Sequence, residues 1–200
     1  MPEKTLRYMK KFDPEWRPIA FKEWQLVVQA LVRGEQTVIL RKGGISEGKA
    51  GFQWLHDRFF LFPSLFHEQA KKVKPNEDGS PRTLDSDGRI SGKIAFGVYV
   101  ETLASGRLTN WEEVQRLQCF HIWTEETVRE RFEWGDQLGI SYAVVQPHLL
   151  KEPWLLEDRD TFGGCRSWFG LPADEGGDWR QMICEAIPSA PICGRPDWLL

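Results

Sequence analysis

The chain has no run of apolar residues approaching the ~18 that a membrane-spanning helix needs, so a spanning segment is excluded. Its first stretch, MPEKTLRYMKKF, also lacks the ~7–15 consecutive apolar residues of a secretory leader. A cytoplasmic location and no membrane partner are therefore expected. An excess of one charge is missing too. The 26 Lys and Arg stand against 29 Asp and Glu, a net of −3 over 200 residues, so no global positive field gathers a polyanion and a histone-like binder is excluded. There is no C-x-x-C pair. The four cysteines, Cys119, Cys165, Cys184 and Cys193, all fall in the second half, and without a leader they do not read as a disulfide framework. The nearest approach to a metal pattern is Cys119 with His121, while His56, His67 and His148 stand apart. Structural zinc sites use two close pairs, so no metal and no cofactor is expected.

What is present is ordinary for one globular domain, or one domain with a tail: 41% apolar and 28% charged residues. Trp24, Val27, Val28 and Leu31 follow the i, i+3, i+4, i+7 spacing of an amphipathic helix over Lys22–Arg33, with Gly34 placed to end it. The same stretch alternates at Trp24, Leu26, Val28, Ala30 and Val32, which leaves a strand open. Strands are predicted at 37–40, 59–62, 93–101 and 140–145, the last stopped by Pro147, with a short helix over 65–73. Residues 75–92 are dense in turn formers and read as a mobile loop. Asn110 and Thr124 are placed as N-caps of helical segments at 111–113 and 125–134, and Asp178 stands before an amphipathic helix at 179–187. Short strands mixed with short helices do not make the regular βαβ alternation of a doubly wound sheet. A small barrel with helices plugging its gaps fits better.

Gly34-Glu35-Gln36-Thr37-Val38-Ile39-Leu40-Arg41, directly behind the Trp24–Leu31 face, resembles the opening G-x-K-T-x-E-x-R motif of ASCH domains, relatives of EVE domains in the PUA-like superfamily. Gly34, Thr37 and Arg41 match, while Gln36 and Ile39 replace the lysine and the glutamate. Lys93–Glu101, the L-x-E-P of Leu150–Pro153 and Gly163–Trp168 agree in order with later ASCH strands. At closer range the chain resembles the bacterial domain-of-unknown-function family DUF1802. The matching segments are AFKEW (20–24), LRKGGI (40–45), LFP (61–63) with HEQ (67–69), FHIW (120–123), VRERFE (128–133) and GGCRSW (163–168). The resemblance implies a mixed α/β (α+β) fold: a charged lead-in at 1–18, a PUA-like barrel domain at 19–171, and a C-terminal tail at 172–200 with a short amphipathic helix.

By analogy the expected function is binding of nucleic acid, RNA or a modified base, or of a nucleotide-like ligand, through an aromatic and basic pocket. The ligand-binding residues assigned on this reading are Arg41, Lys42, Thr37, His121, Trp123, Arg166, Ser167 and Trp168. Arginines supply forked contacts to phosphate or a base edge, and indoles supply stacking faces. Each has a structural alternative: Arg41 and Lys42 as solvated charges at a strand-ending turn, the tryptophans as core filling, Arg129 as an i, i+4 partner of Glu133. A rival reading is a small hydrolase or nuclease using His67, Glu68 or His121 for proton transfer. Against it, Gln36 and Ile39 remove the nucleophile-activating pair that the ASCH resemblance would supply. A third reading is an interaction module built on Trp179–Ile187 and Trp198-Leu199-Leu200.

Overall fold

The computed structural model describes residues 15–42 and 52–200. Most of the expected lead-in, and the Gly43-Gly44 turn, lie outside the described residues. Eight strands form one sheet: β1 (Ile19–Trp24), β2 (Val38–Arg41), β3 (Arg58–Ser64), β4 (Arg89–Ile90), β5 (Lys93–Leu108), β6 (Ile140–Leu156), β7 (Trp168–Gly170) and β8 (Ile187–Pro188). The main order is β2-β6-β5-β3-β1-β7, with β4 on β5 and β8 on β6. β1 runs parallel to β3, Ala20 opposite Phe60, and the other pairings are antiparallel. The helices are α1 (Gln25–Val32), α2 (Trp111–Gln115), α3 (Glu125–Glu133) and α4 (Trp179–Glu185).

The sheet is strongly curled. Four interstrand steps separate β2 from β1, about 19 Å if laid flat at ~4.8 Å per step. Yet the Arg41 guanidinium at the end of β2 donates to the Lys22 carbonyl of β1 and lies 3.2 Å from the Glu23 carboxylate. Side chains, not a backbone ladder, therefore close the seam. This mixed fold around a curled sheet with inserted short helices is the architecture the resemblance implies.

Both faces of the central strands are buried, because side chains alternate along a strand. Phe21, Phe59, Leu61, Val98 and Val100 enter an inner core with α1, β2 and the first half of β6. Ala20, Phe60, Phe96 and Tyr99 face an outer core made with Trp154, Phe162, Trp179 and Ile183. Trp179 and Ile183 are 1% and 2% exposed, so the apolar side of α4 is covered by this chain itself. The C-terminal segment also completes α1. Ser189 Oγ donates to the Leu31 and Val32 carbonyls at 3.1 and 2.8 Å, and the Ile192 and Cys193 amides donate to Gly34 O. Gly34 has φ +74°, and a Cβ there would lie 2.0 Å from Ala190 O, so this close approach needs glycine.

Several local expectations change. Lys22–Trp24 belong to β1, and the helix begins at Gln25, because pairing with β3 on one side and β7 on the other outweighs the helical spacing. α1 has no side-chain cap of its own; Gln69 Oε1 accepts from the Leu26 amide at 3.0 Å. The helix expected over 65–73 is a single 3-10 turn, Gln69–Lys72, whose register serves that contact. β6 runs past Pro147 to Leu156. Register shifts between Phe96 and Val98 leave 150–153 without a ladder partner, and Pro153 sits in that excursion. Residues 75–92 contain β4 and are tied back by Arg82, which pairs with Glu35 and donates to Lys74 O at 3.0 Å. Asn110 and Thr124 cap α2 and α3 as the sequence indicates, and Asp178 caps α4. No helix among the described residues is long and apolar enough to cross a membrane.

Glu23 is fully buried. Removing its carboxylate leaves the Arg41 guanidinium uncompensated, which costs about 3 kcal/mol or more for a broken buried pair. Glu23→Ala is expected to lower the unfolding free energy by that amount, read as a lower urea midpoint at an unchanged denaturant slope in chemical unfolding.

Candidate functional site

Alternation along β1 sorts its two charges onto opposite faces. Phe21 and Glu23 point into the inner core, and Lys22 points outward. Arg41 lies over the Phe21 ring at 4.7 Å while reaching Glu23. Arg131 on α3 is the next member. Its guanidinium stacks over Trp24 at 4.6 Å and Trp123 at 4.9 Å, and donates to Leu40 O at 3.3 Å. Burial pushes Arg131 down to about 10, the nearby Arg41 adds to this, and Glu23 opposes it. At that value it stays cationic near neutrality. Arg41 thus pairs with the buried carboxylate and Arg131 feels its charge, and the group is flanked by Phe21, Trp24, Trp123 and His121, the last 5.5 Å from Trp123.

His121 is 3% exposed, and neither ring nitrogen meets a hydrogen-bonding partner among the described residues. Burial, then Lys74 and Arg131, push its pKa from 6.5 to about 3. Lys74 is held there by the Gln118 and His121 carbonyls. The imidazole is accordingly neutral at physiological pH. Trp123 is fully buried, and Thr37 is 2% exposed with its hydroxyl on Gly194 O at 2.8 Å. Gln36, where the ASCH motif has lysine, is fully buried: its amide donates to Val38 O and accepts from the Ile122 amide. A neutral amide can do both; an ammonium can only donate.

A second group reaches the surface on the other side of Phe21. Trp168 lies 4.6 Å from Phe21, 5.9 Å from Trp54 in an edge-on pair, and 5.1 Å from His56. All three of Trp54, His56 and Trp168 are half-buried. The indole N–H groups of Trp54 and Trp168 are buried without an acceptor among the described residues. Burial lowers the His56 pKa, against the opposing pull of Asp57, so this ring too is neutral at pH 7. Arg166 is exposed two residues away. Lys22 keeps to the outer side, its ammonium over the Phe62 and Phe169 rings and donating to Gly163 O and Gly164 O at 2.9 and 2.8 Å, while its amide donates to Ser167 O at 2.9 Å. Burial lowers the Lys22 pKa, and repulsion from Arg166 lowers it further.

Of the residues assigned from sequence, Arg41, Ser167 and Trp168 gather around Phe21, with Arg166 at the edge. His121, Trp123 and Thr37 lie in the interior, where Arg131 stacks on Trp123. Lys42 turns elsewhere: its ammonium donates to the Phe132, Gln137 and Gly139 carbonyls just behind α3. His67 is exposed, and Glu68 pairs with Lys71 at 3.4 Å. Among the described residues no three His, Cys, Asp or Glu side chains gather into a metal-binding group. Glu23, Trp54 and Lys22 are not marked by the sequence as site residues; Arg131 stands out there only as one of the arginines alternating with Glu130 and Glu133, and His56 only as an isolated histidine. A carboxylate set between Phe21 and Trp24 was the one available signal.

A model of the family described as "Domain of unknown function (DUF1802)" matches residues 20–185. Among solved structures, the ASCH protein of Zymomonas mobilis is similar at 13% identity with a TM-score of 0.48, covering 85% of this chain and 96% of that one. Two point mutants of the same protein give TM-scores of 0.49 at 13% and 14% identity, covering 87% and 86% of this chain and 99% of theirs. A curated protein, Polyamine oxidase 3 of Oryza sativa subsp. japonica, is 42% identical over 60 residues. That match spans 28% of this chain and only 12% of the oxidase.

The buried neutral His121 makes stability depend on acid. Its folded pKa lies below the unfolded value, so the unfolded chain binds the proton first. The stabilisation is complete above about pH 6.5 and is lost as pH falls toward 3, by at most about 1.4 kcal/mol per pH unit. His121→Leu is expected to flatten the stability–pH curve between pH 6 and 4 by one proton, measured by unfolding at a series of pH values.

Proposed function

On the premise that this chain belongs to the DUF1802 family, whose description states no activity, we propose that it binds a base of single-stranded nucleic acid at the Trp54–Trp168 face. The observation that carries this reading is the half-buried indole pair with its two unmet N–H donors, with the exposed Arg166 two residues from Trp168. A flat π-face accepts any base, and the neutral His56 ring extends that face without adding charge. Arg166, exposed beside Trp168, supplies the phosphate contact. Arg41 contributes indirectly, by stacking on Phe21 and fixing the ring against which Trp168 packs. With so few cations at the face and a net charge of −3, each phosphate contact is local and the salt dependence shallow. His121 and Trp123 support the face from the interior and do not touch the base.

The test is a tryptophan-fluorescence titration of the full chain with a short single-stranded RNA and its DNA counterpart. Trp168→Ala is expected to weaken binding roughly tenfold or more, the worth of one stacked base at ~1–3 kcal/mol. Arg166→Ala is expected to reduce the salt slope by about one phosphate contact. Glu68→Gln should bind like the unaltered chain. Unchanged affinity in Trp168→Ala, or no binding of either strand, overturns the proposal.

A further inference from the structure

A cleft separate from the Trp54–Trp168 face opens between α1, the paired strands β3, β5 and β6, and the segment leading into β4. Its volume is about 360 Å³, within the ~300–1,000 Å³ range of small-molecule sites. A smaller cavity of about 200 Å³ adjoins it and shares Gln29, Arg33 and Asp85 as lining residues. One wall is apolar, with Val28, Leu61, Val98 and Leu150. The other is polar and built from α1. Gln25 and Gln29, four residues apart, stand on the same helix face.

These two amides are incompletely bonded. Gln25 is 6% exposed; its Nε2 reaches Ser86 Oγ at 3.3 Å, and its Oε1 has no partner. Both amide atoms of Gln29 are buried with no partner. An unmet buried amide is costly, so a helix face that keeps three such atoms in one cleft is poised for a ligand that completes them. The charges at the rim are already neutralised. Arg33 pairs with Asp85, and Arg89 with Asp158 at 2.5 Å, so the cleft has no free cation for a phosphate.

We infer that this cleft binds an uncharged nucleoside through an adenine-type edge. A carboxamide offers an acceptor beside a donor, and the complementary pattern is the amino group and ring nitrogen that adenine presents side by side. Gln29 forms that bidentate pair. The free Gln25 oxygen accepts a further hydrogen bond from the ligand's amino group, and the Val28, Val98 and Leu150 side chains cover its ring faces. Guanine offers two adjacent acceptors instead, which suits an arginine fork rather than an amide. Gly88, at φ +75°, keeps the rim close: a Cβ there would come within 2.4 Å of the Pro63 ring.

The experiment is calorimetric titration of the full chain with adenosine, guanosine, cytidine and uridine. Adenosine is expected to bind, cytidine, which carries the same amino and ring-nitrogen pair on a smaller ring, more weakly, and guanosine and uridine at least about tenfold more weakly. Gln29→Leu is expected to reduce adenosine affinity about tenfold to a hundredfold. Gln29→Glu, which keeps the shape and loses the donor, gives the same direction should the leucine variant fail to fold. Gln29→Leu leaves the affinity for single-stranded RNA unchanged, which separates this site from the nucleic-acid face. Equal affinity for all four nucleosides, no binding of adenosine, or wild-type affinity in a folded Gln29 variant overturns the inference.

Discussion

The structure turns on one buried carboxylate. Glu23 sits at zero exposure on β1, and its partner Arg41 comes from the opposite end of the sheet order. A charge so placed is tolerable only if the partner is brought to it, and the sheet must curl for that to happen. The pair is therefore both a consequence of the curl and a condition on it. A flatter sheet would leave Glu23 facing an apolar interior alone. Arg131 adds a second cation over two indoles, so the seam is sealed by stacked guanidinium and aromatic planes where backbone pairing is absent.

That arrangement also divides the aromatic residues into two kinds. Trp123 and His121 lie on the inner side of the arginines and are closed off from solvent. Trp54, His56 and Trp168 lie beyond Phe21 and reach it. Abundance of tryptophan alone does not distinguish them. The distinction comes from which side of β1 and which side of the arginine pair each ring occupies. Packing thus makes one set a support and leaves the other available for contact.

How much of this could be read beforehand depends on how local the physics is. The N-caps Asn110 and Thr124 were legible because each acts on an amide two or three residues away, and Asp178 caps its helix in the same way. The helix after β1 was legible in kind but not in its start, since the residues that set that boundary lie on β3, β7 and at Gln69. Pro147 reads as a stop, yet β6 continues, because Pro147 needs only its carbonyl there, which accepts from Ser189 N. Arg41 was identifiable as important from the motif around it. Lys42 was read beside it as an anion contact, but neighbours on a strand point to opposite sides, and its carbonyl partners behind α3 are distant in sequence. The Gln25 and Gln29 amides carried no signal at all, because what marks them is the absence of a bond.

The two-faced burial of β1 has a consequence for how the chain finds its pairing. Lys22 and Glu23 are adjacent, and each belongs to a different side: the ammonium to the glycine-turn carbonyls near Phe62 and Phe169, the carboxylate to Arg41. Sliding the strand by a single position would present acid to the carbonyls and base to the guanidinium. Two neighbouring charges of opposite sign therefore act as a ratchet tooth, rejecting misaligned pairings that the surrounding phenylalanines, being equally greasy on either side, would accept.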